Sequence, residues 1–225
     1  MPKITIIVSA YKERGWLDVA LESAKNQTFK DYNIILSSDG NPALIKYAKK
    51  YGTKFIVTPK GNHSSALNNA VKYASGTWIK ECHDDDFLTP NCLQDLWDAR
   101  EGGDIIYANA INFRDGETTG RLYKPPEFIS LFTFLPIIHN PCHAATIFFK
   151  RSMFLAVGGF DENLSHAEEY EFYFNILSKG YKFKYCDSTV AWYRLHGTQD
   201  THILNTKREE IKEYIFNKAR GYGCV

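Results

Sequence analysis

Three consecutive carboxylates, Asp84, Asp85 and Asp86, stand in the stretch 77–90, which reads Thr-Trp-Ile-Lys-Glu-Cys-His-Asp-Asp-Asp-Phe-Leu-Thr-Pro. They follow a short apolar run and precede a proline-started helix, which predicts that they sit at the C-terminal end of a strand, where the chain turns. Such a cluster repels itself unless something positive is there. A hard divalent cation suits it, because Mg²⁺ and Mn²⁺ take oxygen ligands and commonly bind through one or two carboxylates plus substrate phosphates. The competing reading is a solvated acidic turn, the usual fate of an isolated Asp-Asp-Asp run. A second acidic group, Glu168-Glu169-Tyr170-Glu171, opens an apolar-striped stretch, and carboxylates in a first helical turn also serve simply to complement the helix dipole.

The elements that must position these groups can be read in order. Residues 3–8 form a continuous run of the kind found in a strand buried on both faces of a parallel sheet. The loop Ser9-Ala10-Tyr11-Lys12-Glu13-Arg14-Gly15 leads to Trp16, Leu17, Ala20, Leu21 and Ala24 at helical spacing. Residues 33–36 predict a second strand, followed by Ser38-Asp39-Gly40 and a helix with Asn41 as cap, Pro42 in its first turn and Gly52 as stop. A third strand over 54–57, a third helix carrying Leu67, Ala70, Val71 and Ala74, and a fourth strand over 77–80 follow. This alternation implies an α/β fold with a Rossmann-like, mainly parallel central sheet flanked by helices. Ligands of such sheets bind outside the carboxyl ends of the strands. Ser9, Ala10, Tyr11, Asp39 and the aspartates all fall at those ends, so three polar loops converge on one crevice, although Asp39-Gly40 alone is an ordinary turn.

The second half is less regular. A helix from 89–90, a strand over 104–107, a loop-rich stretch 112–141, a strand over 145–149, the helix that starts at Glu168, extended segments over 181–185 and 191–196, and a charged helix over 206–219 are expected. With neither repeat nor linker, the chain reads as one domain. Its 44% hydrophobic content is enough to fill a core, and 27 basic against 26 acidic residues, with no basic cluster, argue against a nucleic-acid partner. Cys82, Cys92, Cys142, Cys186 and Cys224 are odd in number and scattered, as expected of free thiols in a reducing compartment, so the cytoplasm is the expected location. The chain opens on a strand pattern, so no leader is expected. Its longest apolar stretch, 128–138, falls short of the roughly 20 residues of a membrane helix, leaving room only for peripheral membrane contact.

Taken together, these segments resemble the family 2 glycosyltransferases, inverting enzymes of the GT-A fold. The match runs through Val8-Ser9-Ala10-Tyr11 with Gln27-Thr28-Phe29, Ser38-Asp39-Gly40, His83-Asp84-Asp85-Asp86 with Pro90, Val157-Gly158-Gly159-Phe160-Asp161-Glu162, Glu168-Glu169 and Tyr193-Arg194-Leu195-His196. It covers nearly the whole chain, with these elements in the family's order. The resemblance implies a single GT-A-type domain, with a nucleotide-sugar-binding half over 1–110 and an acceptor-side half over 111–225. It further implies a metal-dependent, inverting hexosyl- or deoxyhexosyltransferase of the kind used in polysaccharide biosynthesis. The donor would be a nucleotide sugar, a UDP-sugar favoured, and the acceptor a carbohydrate hydroxyl, with the loop 112–141 as its wall.

Carried over by position, Asp39 would contact the base, Ser9, Ala10, Tyr11 and Glu13 would line the same pocket, and Asp84 would lie near the ribose. Asp85, with Asp86 as the close alternative, would ligate Mn²⁺ or Mg²⁺, and His196 would approach the metal or diphosphate; His202 is held in reserve and His83 shapes the turn. Glu169 stands in the place of the catalytic base, with Glu168 and Glu171 in support. Three departures accompany the match: Ser38 replaces an aspartate, Leu67 stands where many members carry arginine, and Glu169 is one methylene longer than the usual aspartate. Those departures keep open a non-catalytic sugar-nucleotide-binding module. A sugar nucleotidyltransferase ranks lower, because the loop 9–15 lacks repeated glycines.

Overall fold

The computed structural model describes the chain except residues 60, 118, 131–139, 165–166, 198–212, 215–216 and 219–225. Strand β1 (Ile4–Ala10) is buried at every position, which only a strand covered on both faces achieves. Parallel pairing joins it to β2 (Tyr32–Asp39) on one side and β4 (Trp78–His83) on the other, and β2 to β3 (Lys54–Thr58). Ser9 lies level with Ser37 on β2 and with His83 on β4, so these strands end together and open one crevice.

The two faces of this quartet carry different helices. On one, Leu17, Ala20, Leu21 and Ala24 of α1 (Leu17–Lys25) and Leu93 and Leu96 of α4 (Cys92–Ala99) pack with Ile4, Ile6 and Val8. On the other, Leu67, Ala70 and Val71 of α3 (His63–Tyr73) pack with Ile7, Ile35 and Ile79. Each leucine fully buried in this way stabilises the fold by roughly 1.5–3 kcal/mol. Local signals behave as expected. The Asn41 side chain accepts from the Ala43 amide at a 3-10 turn leading into α2 (Ile45–Tyr51), which Gly52 ends in the left-handed region at φ 64°. α3 starts earlier than its leucine stripe, through a reciprocal cap between Asn62 and Ser65.

Beyond β4 the sheet continues in mixed sense. β8 (Phe148–Lys150) joins β4 antiparallel to β6 (Ile105–Phe113), β6 pairs in parallel with β9 (Phe183–Arg194), and β5 (Phe87–Leu88) lies antiparallel on β9. With β7 (Arg121–Tyr123) on β6, the result is one nine-stranded sheet in which the long pairings are parallel. Several expectations need correction. The fourth strand runs on to His83, β5 intervenes before the proline-led helix, and β7 lies inside the expected loop 112–141. The strand expected over 145–149 begins as a 3-10 turn, Ala144–Thr146, and runs through β8 into an unforeseen helix α5 (Arg151–Val157). Both 181–185 and 191–196 belong largely to the single strand β9. Helix α6 (Glu168–Ser178) starts where expected. Cys82, Cys92, Cys142 and Cys186 are free and buried, while Cys224, His202 and most of the expected terminal helix lie outside the described residues. Among the described residues, no helix is long and apolar enough to cross a membrane.

Candidate active site

The aspartate turn follows β4 directly, and each carboxylate has a different environment. Asp85 is the most engaged: its Oδ2 lies 3.0 Å from Arg14 Nη1 and 3.0 Å from His196 Nε2. Burial opposes its ionisation, but the charge of His83, the hydrogen bond from His196 and the nearby Arg14 outweigh it and hold Asp85 below the usual carboxylate range. Asp86 Oδ1 accepts from the Arg194 backbone amide at 2.9 Å, and Asp84 Oδ1 lies 3.6 Å from Arg14 Nη1. The other oxygens of Asp84 and Asp86 are buried with no hydrogen-bond partner among the described residues. Burial, reinforced by the charge of Asp85, pushes Asp84 up to about 6 and Asp86 up to about 7. The self-repulsion expected of the triplet is therefore present and only partly relieved.

Two segments distant in sequence brace this turn. Arg194, at the end of β9, donates through Nε to the Asp85 carbonyl at 2.8 Å and forms a close ion pair with Asp115. Trp16 donates to the same Asp115 at 3.1 Å, and its ring lies 4.9 Å from that of His196. The Tyr-Arg-x-His segment thus reaches the aspartates, as does the β1–α1 loop. His83, Asp85 and Asp86 offer ligand atoms within 4.8 Å of one another. Two orphaned buried carboxylate oxygens and an oxygen-rich donor set fit a hard divalent cation.

The remaining donor-side residues are placed as follows. Ser9 is buried, its hydroxyl without a partner among the described residues, and Ala10 next to it is buried. Tyr11 is exposed at the crevice, its hydroxyl accepting from Arg14 Nη2 at 2.9 Å. Asp39 Oδ1 accepts from the Gly61 amide at 2.8 Å, which ties the end of β2 to the loop before α3. Glu13 turns toward α2, where Lys46 and Tyr47 donate to it at 2.7 and 2.8 Å, and the structure does not bring it to the aspartates. Ser38 bonds Asn41 within the turn, and Leu67 is fully buried in the core.

A second cluster escaped the sequence reading. Glu81, inside β4, is bonded through one oxygen to His63 Nε2 at 2.8 Å and His83 Nε2 at 2.9 Å. Burial disfavours the Glu81 charge, yet the two imidazoles hold it far below the usual range, and they are raised in turn. A carboxylate inside a strand otherwise closed to water was the available signal, since a buried charge requires partners. His83 therefore does more than shape a turn. Helix α6 begins after Ala167, held in the left-handed region at φ 63°, a conformation that costs a residue with a Cβ about 1 kcal/mol. Burial and the charge of Glu169 push Glu168 up to about 8, against the pull of His63 and His83. The Gly-Gly-Phe-Asp element is an anchor: Gly159, at φ 75°, sits where a Cβ would collide with Asn68, whose side chain brackets Phe160. Tyr214 and Lys218 each donate to Asp161 at 2.6 Å.

The model of the family described as glycosyl transferase family 2 matches residues 5–155, and the chain belongs to that family. It is 26% identical over 227 residues to an uncharacterised glycosyltransferase of Rickettsia typhi, covering 95% of this chain and 69% of that protein. It is 26% identical over 225 residues to the chondroitin synthase of Pasteurella multocida, covering 96% of this chain and 23% of that one. Among solved structures, S. aureus TarS 1–349 in complex with UDP-GlcNAc superposes with a TM-score of 0.70 at 15% identity, over 88% of this chain and 60% of that one. A mannosyltransferase from Pyrobaculum calidifontis in complex with GDP-Man and Mn²⁺ gives 0.65 at 16% identity, over 97% of this chain and 64% of that one. The fold is GT-A, and the chain, a family 2 glycosyltransferase, spans only part of the length of these relatives.

Proposed function

We propose that the chain transfers a hexose or deoxyhexose from a nucleoside-diphosphate sugar, a UDP-sugar favoured, to a carbohydrate hydroxyl with inversion at the anomeric carbon. The observation that carries this reading is the convergence of Arg14, His196 and the Arg194 backbone on the aspartates at the end of β4, level with Ser9. Asp39 and Tyr11 would flank the base, and the Ser9 hydroxyl, without a partner among the described residues, would meet a polar group of the donor. Asp85 and Asp86, with His196, would hold Mn²⁺ or Mg²⁺. Bound there, such a cation would stabilise the negative charge that develops on the leaving diphosphate.

The acceptor hydroxyl must lose its proton as it attacks, which requires a carboxylate within hydrogen-bond reach. Glu168, pushed up to about 8, holds its proton at neutral pH and is a poor acceptor. In this reading Glu169, which holds the place of the base in the family resemblance, takes that proton, with Glu168 beside it in the first turn of α6. Single displacement requires no covalent intermediate. The relatives that carry synthase names and the sugar-nucleotide complexes of the structural neighbours support this reading. Release of nucleoside diphosphate from a panel of UDP- and GDP-sugars, with Mn²⁺ and with chelator, tests it. Release should depend on the cation and rise with an oligosaccharide acceptor; binding without any release would instead make the chain a sugar-nucleotide-binding module.

A further inference from the structure

The aspartate turn is partly neutralised by Arg14, a residue of the β1–α1 loop that the roles above leave unused. Its Nη1 lies 3.0 Å from Asp85 Oδ2 and 3.6 Å from Asp84 Oδ1, and its side chain is only 12% exposed. Its Nη2 donates to the Tyr11 hydroxyl, while its buried Nε has no hydrogen-bond partner among the described residues. A guanidinium presents a rigid fork of donors that matches phosphate oxygens in pairs, and in this arrangement part of that fork is idle. The oxygen of Asp85 that Arg14 contacts belongs to the carboxylate a divalent cation would need. Two cations on that oxygen repel each other, so entry of the metal favours departure of Arg14.

The surroundings say where it would go. Leu67 on α3 is apolar and fully buried, so the helix beside the crevice offers no cation at that position. Arg194 is committed to the Asp85 carbonyl and to Asp115. Arg14 sits outside regular helix and strand, between an exposed Tyr11 and a Gly15 where an added Cβ would meet nothing within 4 Å. It can therefore move without breaking a ladder or a helical turn.

We propose that Arg14 is a diphosphate-binding residue: paired with Asp85 when donor is absent, it transfers to the donor's diphosphate oxygens when the cation takes Asp85. This rests on the proposed function. Calorimetric titration of wild type, Arg14→Ala and Arg14→Lys tests it in two arms, with Mn²⁺ alone and with UDP or GDP, whichever wild type binds more tightly, at saturating Mn²⁺. Arg14→Ala should bind Mn²⁺ alone several-fold more tightly, having lost a competitor, and the nucleotide about tenfold or more weakly, the scale of a lost charge-assisted hydrogen bond. Arg14→Lys, which keeps the charge and guards against loss of the fold, should recover part of the nucleotide affinity. Unchanged nucleotide affinity in Arg14→Ala, or weaker Mn²⁺ binding, overturns the role of Arg14 alone. Wild type that binds neither nucleotide contradicts the proposed function itself.

Discussion

Two carboxylates of the site, Asp85 and Glu168, are set by different means. At the end of β4, Asp85 is set by partners: Arg14 and His196 on one oxygen, His83 nearby and Arg194 on its backbone carbonyl. At the start of α6, Glu168 is set chiefly by burial and by its neighbour Glu169. Partners lower a carboxyl's pKa and keep it charged, which would suit the cation ligand proposed above. Burial raises it and favours the protonated form. In the proposed reaction, leaving-group and proton-transfer roles would fall to the same residue type held in different environments.

This contrast can be broken by substitution. Glu169→Gln should lower kcat by about 10²- to 10⁴-fold, the range for a lost general base, with nucleotide affinity unchanged. Asp85→Asn should lower kcat/KM by roughly 10²- to 10³-fold, the scale for one lost electrostatic contact in a transition state, and should also weaken Mn²⁺ binding. Equal losses of nucleotide affinity in both variants would erase the distinction between the clusters. Glu168 sharpens it through pH. Its folded pKa lies above that of an unfolded glutamate, so the native state binds the extra proton. That stabilisation is fully present below about pH 4.3, the unfolded value, and is lost as pH rises through about 8. Thermal melts of wild type across this window should therefore decline more steeply than those of Glu168→Gln. The smallest effect belongs to the brace: Asp115, whose side chain is 58% exposed, should cost less than about 1 kcal/mol on replacement by alanine in a denaturant melt.

Legibility in the sequence followed the range of the interactions. β1 announced itself because a strand covered on both faces reads as one apolar run. The caps at Asn41 and Gly52 are local chemistry, and the start of α6 at Glu168 matched expectation. β5 was invisible, since two residues carry no periodicity and Phe87 and Leu88 are strands only by virtue of Trp192 and Ala191. The short β8 and the turn into α5 likewise depend on pairing with β4 and β6. Within the site, Asp85 and His196 were legible as residue types. The ion pair of Arg14 with Asp85 spans 71 positions, and the bond of Glu81 to His63 spans 18. Neither contact has a local signature. The ion pair of Glu13 with Lys46 on a neighbouring helix is likewise a contact without a local signature.

The central claim is that the turn after β4 binds a donor diphosphate together with a divalent cation. Thermal shift with UDP, GDP and their sugars, in the presence and absence of Mn²⁺, tests it most directly, because binding to the native state raises its melting temperature by mass action. The account predicts a shift from a nucleotide diphosphate that is large with Mn²⁺, small without it and lost in Asp85→Asn. A nucleotide shift indifferent to both Mn²⁺ and that substitution would contradict it.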